Sequence, residues 1–196
     1  MSVLGSPQPS IGSLVARLSA APARCGDTRV VLIDGPAGAG KTTLAARFAV
    51  ALGDAVAQTL HGDDMYEGWE GLATLDAVLW DQVLASLAVG EPAGFRMWDW
   101  VEDRRTHRID VPPCPFLIVE GVGVASPRAR TVASLTLWVD APWELRLARG
   151  LDRDGHSYDV RRQWEGFEAD TRAVHLASGA REAADVVLDG TVPVAD

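Results

Sequence analysis

Residues Gly35-Pro36-Ala37-Gly38-Ala39-Gly40-Lys41-Thr42 fill every fixed position of the pattern G-x-x-x-x-G-K-[ST]. The flanks suit the motif. Arg29-Val30-Val31-Leu32-Ile33-Asp34 is a short β-branched apolar run that reads as a buried parallel strand. Thr43 to Leu52 is rich in helix formers, and Gly53 supplies a stop. Strand, glycine loop and helix together aim backbone N–H groups and a helix N-terminus at an anion. Glycine is needed because a Cβ would keep the backbone away from a phosphate. In that geometry Lys41 reaches the β- and γ-phosphates and the Thr42 hydroxyl sits on Mg²⁺. Gly35, Pro36, Ala37, Gly38, Ala39, Gly40, Lys41, Thr42 and Thr43 are therefore the candidate nucleotide-binding residues, with ATP and Mg²⁺ the implied ligands.

A phosphate loop of this kind needs a parallel sheet around it, and the chain offers the strands. Val56 to Leu60, Pro115 to Gly121, Leu135 to Asp140 and Ala184 to Gly190 are further short apolar runs. Helical connections between them predict an α/β protein with the P-loop NTPase fold, a three-layer α/β/α arrangement around a five-stranded parallel sheet. Ser10 is placed to cap a helix through Leu18, and Thr74 a second amphipathic helix through Val89. Pro142 starts another helix, carrying Arg146, Arg149 and Arg153 on one face. Residues 1–196 are read as one domain, with a loose N-terminus over about 1–9 and a small Arg-bearing lid over about 149–162.

Bulk properties narrow the partners. A net charge of −9 over 196 residues disfavours nucleic acid. Cys25 and Cys114 are the only cysteines, too few for a disulfide framework and suited to a reducing cytoplasm. No apolar run approaches the ~20 residues that span a bilayer, and no signal peptide is visible. A small-molecule acceptor is the expected partner; homo-oligomerisation is left open.

Acids at the ends of strands carry the expected chemistry. His61-Gly62-Asp63-Asp64-Met65-Tyr66 follows the second strand, where ligands of open α/β sheets bind. A carboxylate there can accept a hydroxyl proton and direct the attack on a phosphoryl group. Either Asp63 or Asp64 fits by position. Glu120 ends the next strand and is expected to support the Mg²⁺ shell. Trp98, Asp99 and Trp100, with Arg104, Arg105 and Arg108 behind them, are candidates for the wall of an acceptor pocket. Arg149 and Arg153 are expected to close over the transferring phosphate and neutralise it.

These motifs, in this order, resemble the uridine kinase–phosphoribulokinase branch of the P-loop kinases, over roughly Val30 to Gly190. Gly62-Asp63-Asp64-Met65-Tyr66 resembles the family segment D-S-F-Y, which implies that Asp63 is the base and that Tyr66 lies at the acceptor. Trp98-Asp99-Trp100-Val101 resembles Y-D-F-V, whose aromatics contact a nucleoside base. Val119-Glu120-Gly121 resembles the F-E-G strand end, and Val139-Asp140 with Arg146-Leu147-Ala148-Arg149 and Arg153-Asp154 resembles the strand and arginine helix of the lid. Ala184-Asp185-Val186-Val187 resembles the terminal A-D-V-I. The resemblance implies transfer of the γ-phosphate of ATP to a hydroxyl of a nucleoside or nucleoside-like acceptor. It departs where the family reads the pyrimidine with a histidine: Asp103 stands there, and tryptophans replace the tyrosine and phenylalanine. Two alternatives stay open. One is a cytidylate-type monophosphate kinase using Arg96, Arg104, Arg105 and Arg108; the other is a nucleotide-driven switch or slow ATPase.

Overall fold

The computed structural model describes residues 8–53 and 56–196. Most of the expected loose N-terminus, residues 1–7, lies outside the described residues. Among the described residues seven strands form: β1 Arg29–Asp34, β2 Ala57–His61, β3 Ala93–Asp99, β4 Arg104–Val111, β5 Phe116–Glu120, β6 Ala133–Asp140 and β7 Val186–Asp189. Five of them make the central sheet, in the order β2-β5-β1-β6-β7, and all its pairings are parallel. The five expected strands are thus present, with bounds shifted by a residue or two.

Alternation along the central strands sorts the two faces. Val31 and Ile33 of β1, Ile118 of β5 and Leu135, Leu137 and Val139 of β6 pack against helices α1 (Ile11–Ala20) and α2 (Lys41–Leu52). Val30, Leu32, Leu117 and Val119 face the opposite layer. That layer holds α3 (Leu75–Leu79), α4 (Ala85–Ala88) and α5 (Pro127–Arg130), with Phe167 of a long helix, α7 (Tyr158–Ser178). Both sheet faces are covered, which is why the strands read as continuous apolar runs. Ser10 caps α1 as expected, accepting from Ser13 N at 3.2 Å, and Ile11, Leu14 and Leu18 are buried.

Two expectations change. The single helix expected from Thr74 to Val89 is a composite: a 3₁₀ turn at Gly71–Thr74, α3, a π-helical turn at Trp80–Leu84, and α4. Thr74 does not cap it, because its hydroxyl donates back to Gly71 O at 2.8 Å within the 3₁₀ turn. The expected stripe of Leu75, Val78, Leu79, Val83 and Leu87 is nevertheless buried. The segment from Phe95 to Arg105, read as a pocket wall, is most of an antiparallel hairpin, β3–β4, outside the main sheet. Its turn is built by Asp99, whose Oδ1 accepts from the N–H groups of Val101 and Glu102, and by Asp103 at a left-handed φ of 50°.

The expected lid is not a separate element. Residues 149–162 comprise the end of α6 (Trp143–Asp154), a three-residue link at 155–157 and the start of α7, capped by Ser157. Gly150 lies against Trp164 where the two helices cross, with no room for a Cβ.

Candidate active site

The phosphate loop leaves the end of β1, which has β5 on one side and β6 on the other. Its shape depends on glycine at two places. A Cβ on Gly35 (φ 142°) would collide with Val139 O, and one on Gly38 (φ 75°) would lie 2.6 Å from Arg146 O. Among the described residues, no protein oxygen accepts from the N–H groups of Gly38, Gly40, Lys41, Thr42 or Thr43. Five unpaired backbone donors on the loop and the first turn of α2 are the donor set that a polyphosphate needs, so the residues fit ATP. Lys41 is buried and donates to Pro36 O at 3.0 Å. Burial pushes its pKa down, while the carboxylates of Glu120, Asp63 and Asp34 work in the opposite direction.

Beside the loop, along the start of α2, lies a cavity of about 420 Å³ lined by Gly40, Thr43, Arg47, Val139, Arg149 and Pro193 among others. It is of the size that small ligands occupy. Arg149 lies along its edge, donating to Gly38 O at 3.1 Å and Gly190 O at 3.0 Å.

Sheet register places the acids. β2 and β5 pair so that His61 stands opposite Glu120, and β5 and β1 pair so that Glu120 stands opposite Ile33. Glu120 Oε1 accepts from Thr42 Oγ1 at 3.0 Å and lies 2.7 Å from His61 Nδ1. That hydrogen bond raises the His61 pKa, against the effect of burial. A threonine hydroxyl beside one carboxylate is a partial oxygen shell of the kind Mg²⁺ completes with water and phosphate oxygens. Among the described residues no cluster of three His, Cys, Asp or Glu side chains forms an all-protein metal site.

Just beyond β2, Gly62–Asp64 form a 3₁₀ turn that presents Asp63. Asp63 Oδ1 accepts from Tyr66 Oη at 2.9 Å, and its backbone carbonyl accepts from Trp100 Nε1 at 3.0 Å. The Tyr66 phenol is buried, and burial together with the Asp63 charge raises its pKa, so it stays a donor. Asp64 is half-buried, which pushes its carboxyl pKa up. Around Asp63 stands an aromatic cluster: Trp100 meets Tyr66 edge-on at 5.9 Å and Trp69 at 5.8 Å. Trp69 in turn meets Trp164 at 6.4 Å and Phe167 at 5.6 Å. Arg153 stacks 5.7 Å over Trp164 and is held by Asp154, the main cause of its raised pKa.

The expected site residues divide in two groups. Lys41, Thr42, Glu120, Asp63, Tyr66, Trp100 and Arg153 are brought to one end of the sheet. Trp98 does not hydrogen-bond Asp63 among the described residues; its indole N–H is buried without a partner. Asp99, Asp103 and Arg104 belong to the hairpin turn, where Asp99 holds two backbone N–H groups and Arg104 pairs with Glu102 at 3.4 Å. The backbone donors hold the Asp99 carboxyl below the usual carboxylate range. Sequence reasoning did not single out Trp69, Asp34, His61, Glu168 or His175. Trp69 lies in a stretch without periodicity, and the polar partners meet only across 22 to 141 residues.

No family model matches the sequence, and no curated protein matches it. Solved structures do match in fold. A Bacillus stearothermophilus protein described as a possible uridine kinase is 19% identical at a TM-score of 0.65, covering 91% of this chain and 97% of its own. A Silicibacter protein described as a "putative fructose transport system kinase" is also 19% identical at 0.65, covering 93% and 99%. D-glycerate 3-kinase from Cryptococcus neoformans is 13% identical at 0.60, covering 95% of each chain. The fold is that of the P-loop kinases. The three-layer architecture and the sheet expected from the strand pattern both agree with these neighbours.

Proposed function

We propose that the chain is an ATP-dependent phosphotransferase that moves the γ-phosphate to a hydroxyl of a small, uncharged, flat-faced acceptor of nucleoside-like shape. The observation that carries this reading is Asp63. Its carboxylate is held by the Tyr66 hydroxyl beyond a strand end, close enough to Lys41 to bias that ammonium's proton affinity. In the reaction, an acceptor hydroxyl gives its proton to Asp63 as its oxygen bonds to the γ-phosphorus, and the bond to the β-bridging oxygen breaks to release ADP. Lys41 and Arg153 offset the charge on the transferred group. Thr42 and Glu120 would hold Mg²⁺, whose charge would supply neutralisation of the phosphate oxygens.

The acceptor side favours a hydroxyl over a phosphate acceptor. A monophosphate kinase needs arginines gathered on the acceptor phosphate, and the four of the basic run are instead spread along the β3–β4 hairpin, each with a partner of its own. Arg96 donates to Thr106 O, Arg104 to Glu102, Arg105 to Glu67 and two backbone carbonyls, and Arg108 to Asp110. An aromatic cluster of Trp69, Trp100 and Tyr66 beside Asp63 also serves no purpose in a simple nucleotide switch.

The deciding experiment is an acceptor panel followed by ADP formation. Nucleosides, free sugars and vitamin-like alcohols are compared with their monophosphates and with hydroxy acids. ADP release is expected with an uncharged hydroxyl compound; release only with monophosphates, or equally without any acceptor, overturns the reading.

A further inference from the structure

Helix α7 is tied to the base of the phosphate loop at two places, through Arg146 and through Asp34. Glu168 and His175 lie seven residues apart, two turns along the same helix face. Glu168 takes Arg146 in a bidentate pair at 2.8 and 2.9 Å. Arg146 in turn donates to Ala37 O in the loop at 3.2 Å and to Ala141 O at 2.9 Å. Two turns further on, His175 Nε2 donates to Asp34 Oδ1 at 3.0 Å. The same oxygen accepts from Gly35 N at 2.6 Å and Gly123 N at 2.9 Å, while Oδ2 accepts from Ala125 N at 2.8 Å. The Asp34 side chain is 1% exposed and that of His175 12%. Trp138 closes the pair from one side, edge-on to the imidazole at 4.5 Å.

Asp34 therefore fastens together three things: the first residue of the phosphate loop, the turn after Glu120, and α7. A buried carboxylate at the base of a polyanion site is costly unless its hydrogen-bonding capacity is filled. Backbone N–H groups supply three donors, and His175 supplies the one that comes from a side chain. We propose that His175 is a positioning residue for the nucleotide site: acting through Asp34, it fixes the entry of the phosphate loop, so nucleotide affinity depends on α7. The same helix carries Trp164 and Phe167 of the aromatic cluster beside Asp63, so the donor loop and that cluster share one helix. This inference rests on the reading of Gly35 to Thr43 as a nucleotide site.

The test compares His175→Gln, whose amide can still donate from a similar position, with His175→Leu, which keeps bulk and loses the donor. Mg-ATP affinity is measured by calorimetry, and hydrogen exchange across Gly35 to Thr43 is followed without nucleotide. We expect H175Q to stay within about threefold of the wild type. H175L should bind at least about tenfold more weakly and exchange faster across the loop. Equal affinity and equal exchange in the two variants, whether both high or both low, overturn the proposal, because the donor then has no separate effect. Should H175L fail to fold, His175→Asn, whose shorter amide does not reach Asp34, replaces it. If the wild type itself binds no Mg-ATP, the nucleotide reading falls, and the exchange comparison alone decides whether His175 holds the loop.

Discussion

At the scale of single residues, two carboxylates stand side by side after β2, and their surroundings separate them. Asp63 is exposed and holds the Tyr66 hydroxyl, whereas Asp64 is half-buried with a raised pKa. Asp63→Asn is expected to lower turnover by about 100- to 10,000-fold, the usual worth of a positioned base, with Mg-ATP affinity retained. Steady-state kinetics beside calorimetry checks this, and a larger loss in Asp64→Asn would move the role to its neighbour. His61 makes a pH prediction. Its hydrogen bond to Glu120 raises its folded-state pKa above the ordinary 6.5. The bound proton therefore stabilises the fold fully below about pH 6.5, and that stabilisation is lost as pH rises through the folded value. In magnesium-free buffer, the melting temperature of the wild type relative to His61→Gln should fall as pH rises above about 6.5. A constant difference would show that the pair contributes nothing. The effect will be modest, since the imidazole is 44% exposed.

Elements decide how these residues meet. The hairpin β3–β4 hangs Trp100 over Asp63, and the α6–α7 pair brings Arg153, Trp164 and Phe167 from the other side. The crossing of α6 and α7 depends on Gly150, whose missing Cβ is the space that the Trp164 ring fills. Two effects oppose each other in Gly150→Ala. Alanine gains up to about 1 kcal/mol in helix propensity, while forcing a methyl against a buried ring costs about 1–3 kcal/mol. The ring is 1% exposed and has nowhere to go, so net destabilisation is expected. Chemical denaturation checks the sign. A stabilised variant would mean that the two helices separate freely.

For the whole molecule, a nucleotide that binds only the folded chain must stabilise it. At a hundredfold excess over its Kd, Mg-ATP should add about 2.7 kcal/mol, seen as a rise of several degrees in melting temperature. Lys41→Met should abolish that rise while leaving the nucleotide-free melt nearly unchanged. An undiminished rise in the variant would place the nucleotide elsewhere. Much at this scale was readable beforehand. The glycine loop, the Asp63 turn, the Glu120 strand end and five parallel strands follow from local patterns. A P-loop and a buried strand are written in consecutive residues, and each alternation fixes its own face. Even the cap at Ser10 is a local hydrogen bond. The hairpin was not readable in this way, because its pairing joins Trp98 to Arg105 across a turn whose shape depends on Asp99 and on Asp103 in a left-handed conformation. Nor was the fate of the arginines. Arg96, Arg104, Arg105 and Arg108 look alike as a basic run, and only their folded partners show them engaged. Thus the sequence by itself determined the donor half of the site, because phosphate binding uses backbone groups on a contiguous loop. Only the tertiary structure decided the aromatic cluster beside Asp63 and the grip of α7 on Asp34, because those contacts join residues distant in the chain and depend on shape.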